Sequence, residues 1–160
     1  QESYGVDVFI EKPFNIDELI KTVEKYCDGE SVEDEEAAPS SSQAAKEALA
    51  TCIKMYKAGN IDHAISHLQK ATEEDSASFE LHYNLALLLG KKGLRHRAIL
   101  ALETALGLRP DSFLALKNLA VLYQKSSFKL KAIETWQRSL NICPDQQTRE
   151  GIKLHLVGML

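Results

Sequence analysis

The chain has 160 residues, 44% hydrophobic and 26% charged, with a formal net charge of −4, a composition that excludes disordered and fibrous classes. Residues 1–38 hold twelve acids against three bases, and residues 39–160 hold 16 bases against 11 acids. The second surplus is too diffuse by itself to argue nucleic-acid binding without a basic stripe or stacking aromatics.

No apolar run approaches the roughly 20 residues of a membrane span, and no secretory leader is recognisable. Cys27, Cys52 and Cys143 are scattered, with neither zinc-like spacing nor a disulfide framework. A reducing, cytoplasmic setting and no membrane role are expected. Gln1 opens in mid-pattern, so the sequence is expected to be a piece of a longer protein.

The first elements, within Gly5 to Cys27, read as a short apolar strand, the turn Lys12-Pro13-Phe14, and an amphipathic helix with Ile16, Leu19, Ile20 and Val23 on one face. Residues 4–27 resemble the last strand and helix of a response-regulator receiver domain. The resemblance implies that Lys12 matches the lysine that contacts the phosphoryl group there. It also makes Lys12–Pro13 a candidate cis peptide. The acidic metal-binding pair, the phospho-acceptor aspartate and the switch Ser/Thr belong to earlier strands, and Asp7 and Asp17 do not replace them. Residues 1–28 therefore read as a truncated receiver end that should not autophosphorylate.

Residues 29–42 read as an acidic and serine-rich linker. Asp28 to Glu36 holds six acids in nine residues, and like-charge repulsion keeps such a segment solvated. Glu30 to Glu36 has two open readings, a plain spacer and a tethered pseudo-ligand for the basic body. Ser40 to Gln43 has the S-x-x-Q pattern of a capping box at a helix start.

From residue 43 onward the pattern is repetitive. Ala64, Ala98 and Ala132 lie 34 apart, as do Leu68, Leu102 and Trp136, then Ala71, Ala105 and Ser139. Gly59, Gly93 and Ser127 keep the period, and so do Pro110 and Pro144. Small residues in two columns let antiparallel helices approach closely, and the large residue between them fills the groove. The glycines suit a left-handed helix end, and the prolines stop the second helix. Helices are predicted at about 43–58, 61–73, 78–92, 94–108, 112–126, 128–142 and 145–158.

These columns resemble the tetratricopeptide repeat (TPR), a helix–turn–helix unit. The resemblance places repeats at about 45–78, 79–112 and 113–146, with a cap helix at 147–160. It departs from the family at Ser76, where the other repeats have proline, and at Ser127, which replaces a turn glycine. The expected fold class is all-α, a TPR-type superhelix of three helix pairs plus a cap, preceded by the strand–helix remnant. The implied function is protein–protein interaction, here as the output or adaptor part of a two-component-type regulator. A structural module driving homo-oligomerisation is the alternative.

By repeat position the resemblance carries Tyr83 and Lys117, Asn84 and Asn118, and Lys57, Lys91 and Lys125 to the peptide-binding face. An asparagine amide pairs with both groups of an extended peptide, and a lysine ladder favours an acidic partner. The lysines also have a simpler reading, as charges complementing helix C-termini. The positions matching the chaperone-tail carboxylate clamp are Leu49, Ile53, Asn84, Leu114 and Asn118, of which only Asn84 fits. Leu49, Ile53, Leu87, Leu114 and Val121 suggest an apolar groove suited to an amphipathic segment.

His63 and His67 are four apart but have no third ligand nearby in sequence, so a solvated helix face is expected rather than a metal site. Cys52 falls in a small-residue column with Ala86 and Ala120. No catalytic pattern, metal site or cofactor motif is found, and no nucleic-acid partner is expected. The last helix carries Ile152, Leu154, Leu156, Val157, Met159 and Leu160, more apolar surface than one cap needs, which suggests a homodimer contact or further chain.

Overall fold

A serine starts the first helix of each pair. The hydroxyls of Ser42, Ser78 and Ser112 accept from the backbone N–H of Ala45, Leu81 and Ala115 at 3.1, 3.4 and 3.4 Å. Each such cap stabilises its helix by about 1 kcal/mol. The first cap is Ser42, not the predicted Ser40. Its hydroxyl also donates to the Asp75 carboxylate at 2.7 Å, which ties the start of the first helix to the end of the second.

The computed structural model describes residues 42–160. Seven helices follow in order: α1 Gln43–Lys57, α2 Ile61–Glu74, α3 Phe79–Lys91, α4 Arg95–Leu108, α5 Phe113–Lys125, α6 Lys129–Asn141 and α7 Gln146–Met159. Among the described residues there is no strand, and each helix packs on its neighbours in sequence. The predicted strand–helix remnant, with Lys12 and Pro13, and the acidic stretch Glu30 to Glu36 lie outside the described residues.

Within each pair the chain reverses through the same turn. Gly59, Gly93 and Ser127 have φ of 82°, 84° and 63°. The next residue's N–H then bonds five residues back: Asn60 to Met55, Leu94 to Leu89 and Phe128 to Tyr123, at 2.9, 2.9 and 2.8 Å. The turn residue itself bonds three back, Gly59 to Tyr56 at 2.9 Å. This double bond pattern satisfies helix-end carbonyls and demands a left-handed residue. Helices α2, α4 and α6 therefore begin without a side-chain cap.

The predicted columns form the core. Ala64, Ala98 and Ala132 are fully buried, as are Leu68, Leu102 and Trp136. Cys52, Ala86 and Ala120 are buried too, and burial pushes the Cys52 thiol up to about 12. Ser139 stands in an alanine column, and its hydroxyl donates to the Trp136 carbonyl at 2.7 Å. The polar atom is thereby satisfied inside the apolar layer.

Helix α7 breaks the period. Its N-cap is Asp145, 33 residues after Ser112 and not 34. One residue turns a helix by about 100°, so Ile152 and Leu156 face inward against Val121 and Trp136. Leu154, which the repeat period would align with Ala120, is 62% exposed.

Candidate binding surface

The face built by the first helix of each pair is held by a chain of contacts between α3 and α5. At the start of α3, Arg109 donates to Glu80 at 3.0 Å, and its guanidinium lies 4.2 Å from the Phe79 ring centroid. Phe79 stacks on Tyr83, with centroids 5.6 Å apart and planes 10° apart. The Asn118 amide then donates to the Tyr83 hydroxyl at 3.1 Å. Both members of the ion pair are mostly covered, so the Coulomb attraction is less screened than at an open surface.

Asn118 is buried, and its Oδ1 has no hydrogen-bond partner. Leaving such an acceptor unpaired costs about 1–3 kcal/mol. Asn84 is buried as well, but its amide donates to the Glu80 carbonyl four residues back at 2.7 Å. The two asparagines share a repeat position and differ in what they do. One braces its own helix, and the other crosses to the neighbouring helix.

The remaining candidates sit along the same helices. Tyr83 and Lys117 are half-buried near the middle, while Lys57, Lys91 and Lys125 are exposed in the last turns of α1, α3 and α5. The expectation of an open apolar groove does not hold as stated. Leu49, Ile53, Leu87 and Val121 are buried, and of the five named residues only Leu114 is substantially exposed, at 48%. The stacked helices consume that apolar surface, with α7 sealing Val121.

Phe79, Glu80 and Arg109 were not singled out by the sequence. An aromatic at the first position of a repeat, 30 residues before an arginine, carries no local signal of contact. On the other side of the molecule, Tyr123 donates to the Glu103 carboxylate within a cavity of about 320 Å³ bordered by Lys131 and Arg138. Burial, then the bond to Glu103, push the Tyr123 phenol above its ordinary range.

His63 is exposed, whereas His67 is half-buried with Nε2 unpartnered. That departs from the expectation of two outward histidines. Among the described residues no group of three or more His, Cys, Asp or Glu is placed to hold a metal ion. Nor is any helix there long and apolar enough to cross a membrane.

The tetratricopeptide repeat family model matches residues 79–112. No curated protein matches the chain at a significant level. Among solved structures, a crystal structure of MamA superposes with a TM-score of 0.63 at 25% identity, covering 72% of this chain and 68% of that one. YrrB, described as a TPR protein with an unusual peptide-binding site, superposes at 0.59 with 16% identity, covering 98% and 76%. A second MamA structure gives 0.60 at 18% identity, covering 96% and 85%. Helix pairs with small-residue columns, left-handed turns and a 34-residue period, together with these matches, make the described chain a tetratricopeptide-repeat fold.

Proposed function

We propose that the chain is a non-enzymatic protein-interaction module that holds a segment of another protein against α1, α3 and α5. The observation that carries this reading is Asn118, whose amide is held at one end by Tyr83 and has an unpaired acceptor at the other. That oxygen is covered in the structure, so a backbone N–H of an extended peptide would pair with it only after the Asn118 side chain turns outward. TPR scaffolds are generally protein-interaction modules, and one structural neighbour is described as having a peptide-binding site. Lys57, Lys91 and Lys125, at the helix ends, bias the partner toward an acidic or amphipathic segment.

The test is a peptide selected from a random library against the chain, followed by amide chemical-shift mapping. Shifts at Tyr83, Lys117 and Asn118 are expected, with Asn118→Ala weakening binding by about tenfold. Shifts confined to α2, α4 and α6 would overturn the reading. The narrower role, as output of a two-component-type regulator in the cytoplasm, rests on the receiver-like segment around Lys12 and Pro13 alone. A second reading, self-association, is favoured by Leu154 and Val157 on α7 and Leu160 just after it, exposed by 62%, 72% and 84%.

A further inference from the structure

The basic surplus of the repeat region is not spread evenly. Residues 81–102 contain Lys91, Lys92, Arg95 and Arg97 and no acid. Residues 112–133 contain Lys117, Lys125, Lys129 and Lys131 and again no acid. Each window contains the left-handed turn of its repeat, at Gly93 and at Ser127, and the fold brings these two turns together. Between them lies a cleft of about 610 Å³, lined by Gly93 to Arg97 and by Lys125 to Ser127.

The charged groups that line this cleft favour a negative guest. Arg95, His96, Arg97 and Lys125 are exposed at its rim. Helix α4 begins here with no side-chain cap and no acid in its first turn, so its positive end has no anionic side chain of its own helix to offset it. Ser126 lines the cleft with a buried hydroxyl oxygen that has no hydrogen-bond partner. Phe128, 43% exposed, meets the His96 ring at 6.3 Å and Lys131 at 5.9 Å. The first repeat differs: Asp62 stands in the first turn of α2 and pairs with Lys92. The positive field is therefore confined to the second and third repeats.

We infer that this turn edge is a second docking site, distinct from the α1/α3/α5 face, for an acidic segment of another protein. Cations on opposite sides of a cleft focus the field into it and speed the encounter with such a segment. Single-stranded nucleic acid would need a run of open aromatic faces for its bases, and the cleft has one partly exposed phenylalanine at its margin. The inference shares with the proposed function a protein partner of acidic character and one residue, Lys125 at the end of α5; Arg95, Arg97 and Ser126 belong to the cleft alone.

The experiment titrates a fluorescent Glu-rich peptide into the chain at low ionic strength. Arg95→Glu with Arg97→Glu should weaken binding by roughly tenfold or more. Glutamates at the start of a helix complement its dipole, so that loss is not a loss of fold. Lys54→Glu with Lys70→Glu makes the same charge change on exposed positions of α1 and α2 and should leave affinity within about twofold. Amide shifts should centre on Gly93, Arg97, Ser126 and Ser127. Equal losses in the two double variants would reduce the effect to net charge and overturn the site. So would shifts centred elsewhere, or a single-stranded RNA that binds the cleft more tightly than the peptide. Because the groove test reads a different peptide at different amides, either site can fail while the other stands.

Discussion

Ser127 occupies a backbone conformation, φ 63°, that its two counterparts meet with glycine. A side chain in the left-handed region costs roughly 1–2 kcal/mol, while glycine adds about 0.5–1 kcal/mol of unfolded-state entropy. Ser127→Gly should therefore stabilise the fold by about 0.5–1 kcal/mol, read as a raised urea midpoint with an unchanged slope. A lowered midpoint would mean that the serine makes a compensating contact. The 34-residue spacing alone places this residue in the turn column, since the turn is a local backbone requirement. Asn118 was less legible. Repeat position put it on an inner helix, but its bond to Tyr83 joins side chains 35 residues apart and depends on how two helices lean together.

At the scale of elements, α7 is where periodic reasoning stops working. The predicted cap was right in kind, but Asp145 starts the helix one residue early relative to Ser112 and rotates it. His155 consequently sits beside the core, with its ring edge to face with Trp136 at 5.4 Å and its Nε2 2.9 Å from Gln124 Oε1. Burial lowers its pKa below the ordinary 6.5. A depressed histidine is stabilising when neutral, so its contribution is complete above 6.5 and is lost as pH falls through the folded value. Asp145 accepts from the Thr148 N–H at 2.7 Å, and that bond holds its carboxyl below 3.8. Its contribution is complete above 3.8 and is lost at still lower pH.

Amide protection of α7 should accordingly fall in two steps on acidification, one below about pH 6.5 and one below about pH 4. His155→Gln should remove the first step and keep the second. A first step that survives this substitution would assign it to another group. The inner elements α3 to α6 should hold their protection through the first step, because their buried columns contain no group that titrates there.

For the whole molecule, the exposed half of α7 sets a prediction about assembly. Leu154 and Val157 lie three apart on one face and Leu160 follows at the end of the chain. Scattered exposed leucines are ordinary, but a stripe along one helix face is a surface for pairing. If that stripe drives self-association, the sedimenting mass should rise with concentration. Leu154→Glu with Val157→Glu should return it to that of one 17.8 kDa chain. Neither residue supports the core, so the melting temperature should hold, and a concentration-independent monomer in the unsubstituted chain would remove the oligomer reading.

What the amino-acid sequence determined by itself was everything that recurs. Helix pairs, their turns, the small-residue columns and the all-α repeat fold each follow from one local rule applied every 34 residues. Tertiary structure alone decided what depends on two repeats at once. Stacking buried Leu49, Ile53, Leu87 and Val121, which the pattern had left open as a groove. It also brought Arg95 and Arg97 to Lys125, turning a surplus that looked diffuse along the chain into one charged edge. The reason is physical: backbone conformation is set within a few residues, whereas burial and electrostatic potential are sums over neighbours that only packing selects.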